Sequence, residues 1–552
     1  MATISEALTI AIQHHQAGRL QEAEQIYRQV LQVDPANADA LHLLGLVAHQ
    51  SGQHVTAVEL MQKAIVRQPN AAVCHNNLGE AYRALQRWSE AEASCRRAIE
   101  LQPDFAAAHV NLGGVLKCQG QLAEAIACYR RALQLEPDYA DAHLNLGNVL
   151  ADQGQRAEAV ACYRRAIALD PHAADAYANL AALLTEEGQL DEAVACCRRA
   201  LQLKPDAADV HVNLAIALKD QGKLDEAIAC YDRALELEPD LAAAHCDRAF
   251  LWLLGGNFAQ GWPEYEWRWR TKDFAPRNFP QPLWDGKSLA GKTILLHAEQ
   301  GFGDTFQFVR YTSIVKKLGG TVILECQKAL LGLLERCPGV DQLIGHGNDL
   351  PAFDVHAPLL SVPGILKTSL DTIPAAVPYL FAAPALIEYW REKLREVRGY
   401  KIGINWQGRP GQGSWLARNI PLQQFAGLAE IPGVRLMSLQ KGAGREELAQ
   451  AREHFPIVDL GEEVDQANGA FVDTAAIMRN LDLVITSDTA LPHLAGGLGI
   501  PVWLALPFAP DWRWLLDRSD SPWYPTMRLF RQKERGNWQG VFDDIRKALC
   551  EM

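Results

Sequence analysis

Residues 295–308 read LLHAEQGFGDTFQF. An apolar run ends in Glu299 and Gln300, then Gly301 and Gly303 flank Phe302, and Asp304 follows. Glycines just after a strand often bring backbone close to a phosphate. The dinucleotide fingerprint, however, needs a third glycine three residues after the second, and Phe306 stands there. No Gly-Lys-Ser/Thr follows, so the turn is not a P-loop. What remains is a carboxylate at a turn into a helix. Asp304 is either a helix cap or a general base that takes a proton from an acceptor hydroxyl. A second stretch, DLVITSDTALPHLAGGLGIP at 482–501, runs from a buried strand into a helix opened by Ser487, Asp488 and Thr489. Free backbone N–H groups there suit an anion. His493 falls four residues after Thr489, on the same helical face, and Pro492 sits in the first turn, where it removes no bond. The plainer reading is a capping Asp with a buried His. The third spot is basic: Arg418 precedes NIPL and Lys441 follows VRLMSLQ. Either could neutralise a diphosphate leaving group.

Positioning these residues needs a scaffold. After residue 270, short β-rich runs (TILLHAE, TVILEC, KIGINWQG, VRLMSLQKG, DLVITSD, PVWLAL, MRLFRQ) alternate with helical patterns. Near-continuously apolar strands alternating with helices predict parallel, doubly wound sheets. The Pro- and Ala-rich stretch near 373–385 divides the region, so the expected architecture is two Rossmann-like domains, at 291–384 and 385–552, behind a connector at 271–290. The last helix is expected to return onto the first of them. Ligands in such sheets bind at the carboxyl ends of the strands, where all three spots fall.

The first half follows a different rule. Pro35, Pro69, Pro103, Pro137, Pro171, Pro205 and Pro239 recur every 34 residues, the period of tetratricopeptide repeats. Small residues (Gly79, Gly113, Gly147, then Ala181, Ala215, Ala249) share one slot. Gly18, Gly52, Gly120, Gly154, Gly188 and Gly222 end the first helix of each unit. Residues 1–270 therefore predict an all-α superhelix of seven units plus a Trp-rich junction unit carrying Trp252, Trp262, Trp267 and Trp269. Asn77, Asn111, Asn145, Asn179 and Asn213 form a ladder of the same spacing. Asparagine is a poor helix-interior residue. The ladder either bonds neighbouring helices or lines a groove and grips an extended peptide through its amides. The recurrent Arg pairs, Arg96-Arg97 through Arg198-Arg199, fit a solvated outer face.

Composition excludes other classes. A net charge of −13 with no basic tract argues against nucleic acid as the main partner. No apolar run approaches the ~18 residues that span a bilayer, and the amino terminus lacks the pattern of a signal peptide. Twelve cysteines without a CxxC pair suit neither a disulfide framework nor zinc. The expectation is a reduced, cytoplasmic protein with no metal.

GFGD followed by FVRY, SDTALPHLAGGLGIP, and PFAPDWRWLL…SPWYPTMRLFRQ together resemble bacterial repeat-fused glycosyltransferases over residues 284–550. That half is similar to the heptosyltransferases of lipopolysaccharide synthesis, and the repeat array resembles that of protein O-N-acetylglucosamine transferases. The resemblance implies an α/β GT-B module of two Rossmann-like domains and inverting, metal-independent transfer from a nucleotide-sugar, with no other cofactor. Asp304 matches the family's catalytic Asp, and Ser487, Asp488, Thr489 and His493 lie in its donor-binding segment. Arg418 stands where heptosyltransferases have a phosphate-contacting Lys. The repeats would recruit the acceptor, with a polypeptide as candidate. The rival expectation is a tetratricopeptide scaffold whose transferase-like half no longer catalyses.

Overall fold

The computed structural model describes residues 3–272, 274, 276–408 and 418–552. They form two compact units that divide at 217/218.

The first unit is a stack of helical hairpins: Ile4–Gln16 with Leu20–Val33, Ala38–Gln50 with His54–Arg67, Ala72–Ala84 with Trp88–Leu101, Ala106–Cys118 with Leu122–Leu135, Ala140–Asp152 with Arg156–Leu169, and Ala174–Glu186 with Leu190–Leu203. Their regularity comes from two residue types. The first helix of most pairs ends at a glycine with φ between +74° and +78° (Gly18, Gly52, Gly120, Gly154, Gly188), a left-handed conformation that costs a glycine nothing. The third pair makes the same turn with Gln86 at φ +57°. Inside the fourth and fifth pairs, glycine makes room for a ring. A Cβ on Gly113 would lie 2.8 Å from the Tyr129 ring, and one on Gly147 would lie 2.7 Å from Tyr163. Both tyrosines are buried, so close approach of the two helices is achieved by absence on one side and bulk on the other.

The second unit begins earlier than the change of periodicity at 270. The helices Leu224–Leu237, Ala242–Leu254 and Phe258–Tyr265, with the 3-10 turn Glu266–Arg270, belong to it. Aromatic packing is the reason. Phe258 and Trp262 share a core with Phe308, Trp512 and Trp523, Trp262 meets Trp512 edge-on at 5.3 Å, and Trp262 Nε1 donates to the Thr368 carbonyl at 2.9 Å.

Two parallel sheets follow. The first has the order β3-β2-β1-β4, from β1 (Thr293–His297), β2 (Thr321–Cys326), β3 (Gln342–Gly345) and β4 (Val355–Pro358). The second has the order β10-β9-β8-β5-β6-β7, from β5 (Tyr400–Asn405), β6 (Val434–Ser438), β7 (Ile457–Val458), β8 (Leu483–Thr486), β9 (Val502–Leu506) and β10 (Met527–Arg531). Strands buried throughout, such as β8 and β9, explain their unbroken apolar sequences. The connector is not a free linker. Phe279 packs on His297, Phe353 and His356, and Trp284 N–H donates to the His356 carbonyl at 2.8 Å.

The expectation that the last helix returns to the first sheet is corrected. Trp538–Cys550 places Val541, Phe542 and Ile545 in the core of the second sheet with Ile404 and Ile485, and Phe425 meets Phe542 at 4.7 Å. Its apolar stripe, at helical spacing, has its complement there. The segment that reaches the first sheet's side lies before it. Trp512 and Trp523 pack on Phe308, and the buried Arg310 donates to the Trp523 carbonyl at 2.6 Å. Among the described residues, no helix is long and apolar enough to cross a membrane.

Candidate functional site

The glycine turn leads from β1 into the helix Phe302–Phe308. Asp304 is its third residue, and its Oδ2 accepts the Gly301 N–H at 2.9 Å, so it does cap the helix. Its other oxygen is committed elsewhere: Arg513 donates to Oδ1 at 2.5 Å. Arg513 also donates to Asp511 Oδ1 at 2.9 Å and to Gln307 Oε1 at 2.7 Å, and its guanidinium lies 4.4 Å from the Trp512 ring centre. Arg418 stands 3.6 Å from both Asp488 and Asp511. Two guanidinium groups and three carboxylates thus form one chain, Asp304–Arg513–Asp511–Arg418–Asp488, past the carboxyl ends of β1, β8 and β9.

Burial dominates the electrostatics. It pushes Asp304 above the usual carboxylate range, with Arg513 opposing and Asp511 adding. It raises Asp488 in the same way against Arg418. Burial would raise Asp511 too, but Arg513 and Arg418 together hold it below. The site therefore separates its carboxylates: the central one is firmly ionised and the outer two are the easier to protonate.

The helix Ala490–Gly497 lies against the glycine turn. A Cβ on Gly303 would sit 3.1 Å from His493 Cδ2 and 3.4 Å from the Ala490 Cα, so Gly303 is what lets the two elements touch. Thr489 caps this helix, accepting the Leu491 N–H at 3.3 Å, and donates to Asn405 Oδ1 at 3.1 Å. His493 is buried, stacks on Trp514 with ring centres 5.1 Å apart, and places Nδ1 2.9 Å from the Tyr524 hydroxyl. Burial first, then Arg513, hold it well below the usual imidazole range, so it is neutral. The Ser487 hydroxyl is buried and, among the described residues, bonds nothing.

The structure thus gathers Asp304, Arg418, Ser487, Asp488, Thr489 and His493 into one region. Lys441 stands apart, past the end of β6, where its Nζ donates to the Val464 carbonyl. Sequence reasoning missed Asp511, Arg513, Gln307 and Arg310. The available signal was an Asp and an Arg set among tryptophans in PDWRW, where an unpaired charge is hard to bury. It also missed the buried amides. Gln440 Oε1 accepts from Asn405 Nδ2 at 2.6 Å and from the Gln407 N–H at 3.1 Å, tying β5 to β6.

In the first unit, the asparagine ladder is half-buried throughout. Asn77 Nδ2 donates to His42 at 2.9 Å, Asn111 Nδ2 to Asn76 at 3.0 Å, and Asn179 Nδ2 to Asn148 at 2.8 Å, each reaching the preceding hairpin. Asn145 and Asn213 occupy the same helical position. A second ladder escaped notice. His75, His109, His143 and His211 direct Nε2 at the carbonyls of Pro69, Pro103, Pro137 and Pro205, at 2.9–3.1 Å. The arginine rows bridge successive hairpins, as in Arg130–Glu158 at 3.0 Å and Arg164–Glu192 at 2.9 Å. These pairs are exposed and contribute little.

Comparison with known proteins identifies the array. Tetratricopeptide-repeat family models match residues 8–72 and 144–208, 72–105 and 208–241, and 115–154, so this part of the chain consists of tetratricopeptide repeats. The chain is 28% identical over 328 residues to protein FlbA of Caulobacter vibrioides, covering 55% of this chain and 54% of that protein. It therefore spans about half the length of the curated relative it matches. Among solved structures, it is similar to YrrB, described as a TPR protein with an unusual peptide-binding site, at 25% identity over 34% of this chain and 96% of that one, with a TM-score of 0.30. Pseudomonas aeruginosa PilF is similar at 21% identity over 38% and 94%, with a TM-score of 0.35.

Proposed function

We propose that the α/β part of the chain is an inverting glycosyltransferase of GT-B type that uses a nucleotide-sugar, and that the repeats recruit its acceptor, a polypeptide. The supporting observation is the position of Asp304, a carboxylate lifted by burial and fixed by Arg513 where two parallel sheets present their carboxyl ends. In this reading Asp304 takes the proton of the acceptor hydroxyl, the freed oxygen attacks the anomeric carbon, and the bond from that carbon to the diphosphate oxygen breaks. The charge that develops on the diphosphate falls to Arg418, with Arg513 as a further cation.

A second reading draws on the same network. Arg418 and Arg513 already face carboxylates, and tetratricopeptide repeats serve protein interaction. The protein would then be a scaffold. Thermal shift against nucleoside diphosphates and nucleotide-sugars separates the two: stabilisation by at least one supports the transferase, and none supports the scaffold. In the transferase, Asp304→Ala abolishes transfer while nucleotide binding persists. Unchanged turnover would remove Asp304 from the chemistry.

A further inference from the structure

Along the repeat array, arginine–glutamate pairs close the junctions between hairpins. Arg96 lies 3.6 Å from Glu124, Arg130 3.0 Å from Glu158 and Arg164 2.9 Å from Glu192, each pair joining one hairpin to the next from the third to the sixth. The junction of the second and third hairpins departs from this. One repeat before Arg96 stands Gln62. A neutral amide carries no charge for the bridge, and Gln62 Nε2 donates instead to the Tyr82 hydroxyl at 2.7 Å. Tyr82 itself stands where the next three hairpins have Leu116, Leu150 and Leu184. Glu90, the counterpart of Glu124, is left to Arg87 of its own hairpin at 2.7 Å. The junction stays open as a groove of about 590 Å³, with Ile65, Val66 and Leu78 among its walls. Val66 is 74% exposed and holds the position that Glu100 has one repeat later. An open apolar groove at a junction that is bridged elsewhere marks a contact surface.

The charges on the groove decide what fits it. The helix Trp88–Leu101 supplies Glu90, Ala93, Ser94 and Arg97 to it. Glu90 and Arg97 share one face of that helix, two turns and about 10 Å apart along the axis. Ala93 and Ser94 lie midway, and both are small. Reversing the helix about that midpoint puts a guanidinium where the carboxylate was and a carboxylate where the guanidinium was. The face is therefore complementary to itself in antiparallel register, as an isologous contact about a two-fold axis requires.

We propose that this groove is the contact between two copies of the chain. The two Trp88–Leu101 helices run antiparallel and cross at Ala93 and Ser94, and Glu90 of each copy faces the partner's Arg97. Small side chains at the crossing let the backbones approach. In the single copy Glu90 pairs with Arg87 and Arg97 with Glu100, all of them at the surface. Such pairs are weak, so both charges re-pair across the contact at small cost. The attraction comes from burying the wall around Val66, and the charges set the register. The contact lies wholly within the repeats and is independent of any activity of the α/β part.

Analytical ultracentrifugation of the full-length protein tests this. The expected wild-type species at high concentration has twice the chain mass of 61.0 kDa. Arg97→Glu sets two carboxylates against each other on both sides of the axis, and Glu90→Arg does the same with guanidinium groups. Each is expected to weaken self-association roughly tenfold or more. An equimolar mixture of the two variants restores opposite charges at both contacts and is expected to associate again, as is the double variant E90R/R97E. Val66→Asp is expected to weaken association without touching the charged pair, which keeps the test decisive if a charge variant fails to fold. A wild type that stays a single copy at every concentration overturns the proposal. So does a dimer that the folded variants leave intact, or a mixture of the two charge variants that stays dissociated.

Discussion

At the scale of single residues, the chain is governed by buried charges that have little alternative to one another. Arg513 holds Asp304 and Asp511 at once. Arg513→Ala leaves buried Asp304 without its counter-ion and Asp511 with Arg418 alone, and the expected loss is about 3–5 kcal/mol in denaturant unfolding. Arg513→Lys keeps the charge but not the fork, and is expected to lose less. Glu299 offers a pH signature. It is 5% exposed beside Arg268 at 3.0 Å, and burial, only partly opposed by Arg268, raises it from 4.5 to about 7. Below pH 4.5 the folded and unfolded chains both hold the proton. Between 4.5 and 7 the unfolded chain releases it first, so the wild type loses stability as pH rises through that window. Glu299→Gln removes the difference. Its melting temperature is expected to gain on the wild type from pH 4.5 to 7, and parallel curves would show that Glu299 does not titrate there.

At the scale of elements, the repeat hairpins provide an internal comparison. Seven hairpins, among the described residues, end their first helix with a left-handed glycine, and the third uses Gln86 at φ +57°. A side chain in that conformation costs about 1 kcal/mol, so Gln86→Gly is expected to stabilise the protein by roughly that amount, less the flexibility glycine adds to the unfolded chain. Equilibrium unfolding would show it, and a net loss would mean that Gln86 makes a compensating contact. Elements also explain what could be read from sequence. The hairpins were legible because one period repeats the same glycine, alanine and proline constraints. The strands β1, β2, β5, β6, β8, β9 and β10 were legible because each keeps a mostly buried, mostly apolar stretch, complete only in β8 and β9. The strands β3 (QLIG) and β4 (VHAP) and the two-residue β7 were not, since so few apolar residues, mixed with Gln or His, carry no pattern.

At the scale of the whole molecule, repeat periodicity and compactness divide the chain at different places, at 270 and at 217/218, for a physical reason. Repeat periodicity records how hairpins stack on one another, whereas Phe258 and Trp262 pack on residues more than two hundred positions away. A fragment of residues 271–552 would expose that aromatic core, while 218–552 keeps it. The shorter fragment is expected to be insoluble or to bind a dye for exposed apolar surface, and the longer to unfold cooperatively. Equal behaviour of the two would mean that the eighth hairpin is dispensable. The same distance in sequence hid half of the candidate site. Asp304, Asp488 and His493 announced themselves by following strands, but Arg513 acquires its meaning only from a partner 209 residues earlier. Arg310 carries a last consequence. One side chain, fully enclosed, fastens the glycine-turn helix, the segment near Tyr379 and the carbonyl of Trp523. Such a rivet makes these segments move as one, so a displacement of the glycine-turn helix is expected to reach both the segment near Tyr379 and the stretch around Trp523.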